Sequence, residues 1–113
     1  MKKNENNPQI NRGEIYYLKK LSTLVLIISN KMHNLFSNYL TVILVVDQKG
    51  DQVRESLEAD FELENKKMKA IICCFSTLNK QQIYKQGILI GQVNPKTLET
   101  INEKIKSILD LND

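Results

Sequence analysis

One histidine, two arginines and two adjacent cysteines carry most of the chemistry this 113-residue chain can offer. His33 is flanked by Lys31 and Asn34 in the Asn-rich segment Asn30–Asn38. An unperturbed imidazole titrates near neutrality, so it can act as a general base, or its ring can stack on a nucleobase. A lone histidine excludes any intrachain mechanism that needs two, and it excludes a multi-histidine zinc site. In a polar loop, His33 and Lys31 are more often plain surface residues. Cys73 and Cys74 are neighbours in sequence. On a regular strand such neighbours point to opposite faces, so they are expected neither to bridge nor to chelate one ion. They read as two small apolar residues of a buried strand, reduced as in a cytosolic protein.

The cationic side chains are nearly all lysine. Lysine accounts for fourteen of the sixteen basic residues, with Arg12 and Arg54 the exceptions, and the net charge is +3. Lysine suits diffuse attraction to phosphate but not two-pronged clamping. Such a charge permits contact with nucleic acid without demanding it. Lys19 and Lys20 lie in a short polar link that leads to Thr23. Lys66, Lys67 and Lys69 read as a solvated charge run in a turn. With only four glycines, a glycine-rich phosphate loop is not expected.

These residues must be positioned by one small domain. Hydrophobic residues make up 42% and charged residues 26%, as in an ordinary globular chain. Uninterrupted apolar runs such as Leu24 to Ile28 fall far short of the ~20 residues of a membrane-spanning helix. The N-terminal stretch is polar and lacks the apolar core of a signal peptide. The expectation is a soluble, cytoplasmic protein with no membrane contact. Residues 1–11 read as a flexible lead-in and residues 12–113 as the domain.

Glu14–Leu18 is rich in β-branched and aromatic residues and reads as a strand, with Tyr16 and Tyr17 on opposite faces. The apolar runs Thr23–Ser29 and Leu40–Val46 read as strands buried on both sides, separated by a loop over 30–38. Leu57–Glu64 alternates apolar and acidic residues, which predicts a strand with Leu57, Ala59, Phe61 and Leu63 inward. Ala70–Phe75 and Gly87–Val93 complete the set, with a single helical turn over 79–83. Asn94 and Pro95 then open an amphipathic helix whose apolar stripe is Leu98, Ile101, Ile105, Ile108 and Leu109. About six strands followed by one helix, without βαβ alternation, predict a mainly β, antiparallel barrel or sandwich covered by a C-terminal helix.

Three stretches carry a resemblance. Arg12-Gly13-Glu14-Ile15-Tyr16 is similar to the opening strand of the MazF/PemK family of toxin ribonucleases. Leu24–Asn30, followed by Asn34 and Ser37 and an apolar strand, resembles that family's second strand and loop. Ser76-Thr77-Leu78-Asn79-Lys80 lies at the family's usual distance before the sheet return and final helix. The resemblance covers roughly residues 12–111. It implies a small SH3-like barrel of the MazF/PemK/CcdB type, a homodimer, and an antitoxin that neutralises it. It also implies metal- and cofactor-independent cleavage of single-stranded RNA by an Arg and a Thr.

At the corresponding positions the chain departs from the family. The Arg-Pro pair aligns with Thr23-Leu24, and the catalytic Thr falls at Val46 or Asp47. The loop between the first two strands has shrunk to Lys19–Ser22, and the family's Gln-Ile-Arg-Thr reads Cys74-Phe75-Ser76-Thr77. No catalytic residue is therefore assigned. Lys19, Lys20, Thr23, Lys31, His33 and Asn34 stand as candidate RNA contacts. The expected function is a non-catalytic module that pairs with itself, an antitoxin-like peptide, a larger assembly or RNA. The alternative is a weak or altered endoribonuclease.

Overall fold

The computed structural model describes residues 9–50, 53–54 and 57–109. Its elements are β1 (Glu14–Leu18), β2 (Thr23–Ile27), α1 (Lys31–Phe36), β3 (Tyr39–Asp47), β4 (Glu58–Leu63), β5 (Lys66–Asn79), α2 (Lys80–Gln86), β6 (Gly87–Gln92) and α3 (Pro95–Ile108). The strands form one six-stranded sheet in the order β4-β5-β3-β2-β1-β6. Every pairing is antiparallel. The sheet curls until its outer strands approach each other. A Cβ placed on Gly91 of β6 would lie 2.8 Å from a methyl of Leu63 on β4, so the close approach depends on the glycine. This is the expected mainly β barrel with a C-terminal helix.

The two apolar runs at the centre are buried on both faces, which is why they lack alternation. One face presents Ile15, Leu26, Ile43, Val45 and Ala70 to a core that α3 covers with Leu98, Ile101, Ile105 and Ile108. β4 adds Ala59, Phe61 and Leu63 to the same core. The other face presents Tyr16, Leu18, Val25, Ile27 and Val42 to a second core closed by Ile83 and Tyr84 of α2. Each fully buried Leu or Ile contributes about 1.5–3 kcal/mol. α3 begins where expected, with the Asn94 side chain accepting from the Thr97 amide at 2.8 Å and Pro95 in the first turn.

Several expectations are corrected. The segment 31–36 is a helix and not a loop. Asn30 caps it by accepting from the His33 amide at 2.9 Å. A six-residue helix gives too little periodicity to be read from sequence. α2 runs on from the predicted single turn to Gln86, capped by Asn79. The hairpin turn is Glu64–Asn65, both with positive φ, so Lys66 and Lys67 belong to β5. Ile10, in the predicted lead-in, is 2% exposed and packs into the second core. Glu58, on the expected outer face of β4, is buried. Cys73 and Cys74, expected inside, are both exposed. The polar stretch over 47–52 predicts a turn with its glycine in the left-handed conformation; Gly50 does have positive φ, and residues 51–52 lie outside the described residues.

Candidate functional site

A groove of about 510 Å³ lies between the start of β2, the end of β3 and the β4–β5 hairpin. Thr23, Leu24, Val46 and Asp47 all line it. The positions that the resemblance sets against the family's Arg-Pro pair and against its catalytic Thr, at Val46 or Asp47, thus meet at one place. Antiparallel pairing brings this about: β2 enters where β3 leaves, with Leu24 opposite Val45. Leu44, Leu63, Met68 and Ile90 supply an apolar lining.

The polar groups there are few. The Asp47 carboxylate and the Lys66 ammonium are 3.1 Å apart, with the lysine side chain 67% exposed. The Thr23 hydroxyl donates to the Leu21 carbonyl at 2.7 Å, closing the tight β1–β2 turn in which Ser22 has positive φ. Its proton is therefore committed to the turn. Glu64 adds a second carboxylate at the rim. Among the described residues no arginine lines this groove.

Lys19 and Lys20 project from the same turn and are exposed. Their backbone is tied down by Gln86, whose carbonyl accepts from the Lys19 amide at 3.2 Å and whose side chain accepts from the Lys20 amide at 2.8 Å. Lys31, His33 and Asn34 stand on α1, beyond the other end of β2. The six candidate contacts therefore fall into two groups, separated by the length of β2. Lys31 and His33 are exposed. Asn34 is 2% exposed, and its amide donates to the Ser29 carbonyl at 2.9 Å and the Ile10 carbonyl at 3.3 Å. The Ser29 hydroxyl donates to its oxygen. Asn34 thus joins the first ordered residues to the end of β2.

His33 lines a second hollow, also of about 510 Å³, together with Arg12, Ser29, Thr41 and Phe75. The Arg12 guanidinium donates to the Asn102 side chain on α3. Sequence reasoning assigned Arg12 to the opening strand and missed this placement, which needs the contact of the β1 entry with α3.

A buried ionic cluster sits elsewhere. The Glu58 carboxylate accepts from the Arg54 amide at 2.9 Å and from Lys69 Nζ at 3.4 Å. Lys104 of α3 donates to the Glu58 carbonyl at 2.8 Å. The Arg54 amide first, and Lys69 after it, hold the Glu58 carboxyl below its ordinary range against the opposing cost of burial. In the second core the Tyr16 hydroxyl donates to Glu14 at 3.0 Å, and burial, reinforced by the Glu14 charge, pushes the phenol up. Both clusters are structural, tying strand ends to their neighbours. No group of three or more His, Cys, Asp or Glu among the described residues is arranged to hold a metal ion. Among them no helix is long and apolar enough to cross a membrane.

No family model matches the sequence, and no curated protein matches it. Solved structures do. A mycobacterial endoribonuclease superposes with a TM-score of 0.78 at 20% identity, over 96% of this chain and 99% of that one. A MazE–MazF complex from Deinococcus radiodurans gives 0.75 at 11% identity, over 94% of this chain and 100% of the other. A mycobacterial endoribonuclease in complex with its cognate antitoxin gives 0.72 at 18% identity, over 91% and 95%. At these identities the likeness is one of backbone architecture. Strand order, curl and closing helix together give this chain the fold of the MazF endoribonuclease toxins.

Proposed function

We propose that this is a MazF-like protein of toxin–antitoxin ancestry whose groove binds a partner and does not cut RNA. The observation that carries this reading is the Asp47–Lys66 ion pair in the groove. Cleavage through the RNA 2′-hydroxyl builds negative charge on phosphorus and on the leaving oxygen, and it needs a cation or donor aimed there. A carboxylate does the reverse. Two like unit charges 4 Å apart repel by about 4 kcal/mol at an effective dielectric of 20. The nearest cation, Lys66, is already paired with that carboxylate, and the Thr23 hydroxyl is held by the turn.

An apolar groove with Asp47 and Glu64 at its rim suits a peptide that carries apolar and basic side chains. An antitoxin-like segment of that chemistry would fit it, and one of the similar structures is an endoribonuclease in complex with its cognate antitoxin. In this reading the domain spans residues 12–113 together with Ile10, which packs into its second core, and it is cytoplasmic and self-associates as a homodimer.

The test is incubation of the purified protein with labelled single-stranded RNA and no added metal, together with overexpression in a bacterial host. The expected results are no cleavage above background and no growth arrest. Cleavage that His33→Ala or Lys20→Ala abolishes would overturn the reading.

A second reading has its own observation. Arg12 and His33 line one hollow, which places a cation beside a group able to move a proton. An altered endoribonuclease would work there and not in the groove. In the same assay it would lose activity on Arg12→Ala or His33→Ala and keep it on Asp47→Asn.

A further inference from the structure

The hollow that Arg12 and His33 share is built from distant parts of the chain. Arg12 stands just before β1. There the Gly13 amide donates to the Ile27 carbonyl at 2.8 Å, and the Gly13 carbonyl accepts from the Val93 amide at 2.9 Å. These two bonds pin the chain beside Arg12, whose guanidinium reaches α3 and donates to Asn102. Ile105 and Leu109 follow Asn102 at helical spacing and line the hollow from α3. Phe75 lines it from β5. β5 falls out of step with β3 at this point: Ile43 faces Phe75, but the next residue, Leu44, faces Ile71. Residues 72–74 form the resulting bulge. Phe75, just after it, is left 38% exposed.

The hollow differs from the groove in charge. Asp47 and Glu64 line the groove, whereas among the described residues no Asp or Glu lines the hollow. Nor does any carboxylate among them pair with Arg12. A guanidinium has five N–H donors, and the bond to Asn102 occupies one. The rest keep the planar fork that matches a carboxylate in two-pronged fashion. Asn102 restrains that fork, so less freedom is lost when a ligand binds. The His33 ring can add one more N–H donor. Ile28, Phe75, Ile105 and Leu109 make the rest of the wall largely apolar. At about 510 Å³ the hollow has the size of a small-molecule site. These features suit an anion with a flat apolar body. A phosphate monoester carries about −1.5 to −2 charges at pH 7, more than one guanidinium neutralises. Apolar walls penalise that surplus. A carboxylate carries a single charge and leaves none over.

We propose that this hollow binds a small aromatic carboxylic acid as its anion. The carboxylate lies on the Arg12 fork with His33 as a further donor. The ring lies against Phe75 and the Ile105–Leu109 stripe. No covalent bond is made or broken. The inference goes beyond both readings of function. A chain that cuts no RNA can still hold the acid, and a chain that holds no acid leaves the groove's occupant unchanged.

The test titrates the full-length chain with phenylacetate and follows the ring protons of His33, the single histidine, by NMR. The expected result is a saturable shift that fits one site per chain. Acetate lacks the ring and methyl phenylacetate lacks the charge, and each should bind about tenfold more weakly or worse. Arg12→Gln should weaken phenylacetate by about tenfold, and Phe75→Leu by severalfold, with circular dichroism unchanged. If Arg12→Gln does not fold, Arg12→Lys takes its place: it keeps the charge, loses the fork and should still weaken binding severalfold. The absence of a saturable shift, or equal binding of the acid and its methyl ester, would overturn the proposal. Phenyl phosphate binding more tightly than phenylacetate would make the hollow a phosphate site and overturn it too. A folded Arg12 variant that binds phenylacetate as the wild type does would do the same.

Discussion

Lys66 Nζ lies 3.1 Å from the Asp47 carboxylate, linking the last residue of β3 to the first residue of β5. The pair is set by the hairpin turn at Glu64–Asn65, whose positive φ angles start β5 at Lys66. With the lysine side chain 67% exposed, the pair adds little to stability, about 1 kcal/mol at most. Its consequence is the potential of the groove. Asp47→Asn should therefore leave the urea midpoint nearly unchanged and strengthen the binding of a short single-stranded RNA severalfold at low salt. The gain should vanish as salt is raised. Fluorescence anisotropy at two ionic strengths reads this directly, and unchanged affinity would remove Asp47 as the groove's phosphate-repelling group.

Glu58 predicts an acid-limb effect. Its carboxyl is held below its ordinary range by the Arg54 amide and Lys69. A group with a depressed folded pKa adds stability that is fully present above its unfolded value and is lost as pH falls through the folded value. Stability should thus be flat with respect to Glu58 from neutral pH down to about 4.3, the ordinary glutamate value, and fall below it. Glu58→Gln should lower stability at neutral pH, where Lys69 loses its charged partner, and should flatten the acid limb. Urea midpoints measured across the pH series would show it. An identical slope in the variant would assign the acid sensitivity to other carboxylates.

Much of the architecture was legible because it follows from patterns longer than its irregularities. The α3 stripe, its Asn94–Pro95 start and the continuous apolar runs of β2 and β3 are of this kind. What escaped was local. α1 is too short to show a period. Cys73 and Cys74 follow a bulge that no composition announces. Ile10 looks like tail until Asn34 and the second core are in place. At the candidate site, family resemblance pointed to Thr23 and to Val46 or Asp47, whereas residue chemistry alone offered His33, read as more often a plain surface residue. The pairing of Asp47 with Lys66 depends on where the hairpin turns, and Lys66 read as one more solvated lysine.

Asn34 separates a structural role from a contact role. Its buried amide joins Ile10 to Ser29 and leaves no polar atom facing solvent for a ligand. Asn34→Ala strands two backbone carbonyls and a hydroxyl, and it should cost about 1–3 kcal/mol. Denaturant unfolding measures this, and hydrogen exchange near Ile10 should quicken in the same variant. An Asn34→Ala protein of native stability that binds RNA more weakly would instead make Asn34 a contact residue.

The strongest test of the groove is to rebuild it. The resemblance places an arginine at Thr23 and a threonine at Val46 or Asp47, and the structure brings these positions into one groove. Thr23→Arg puts a planar, permanently charged donor pair at the start of β2. Asp47→Thr removes the opposing carboxylate and releases Lys66. Both residues are partly exposed, so the scaffold should accept the changes with little loss of stability. The double variant should cleave single-stranded RNA without added metal, well above the wild-type background, while each single variant gains less. Removing one properly placed donor from such a site typically costs a factor of about 100–1,000 in rate, so the gain should be of measurable size. A folded double variant with no cleavage would show that the shortened Lys19–Ser22 turn, and not the two side chains, limits the chemistry.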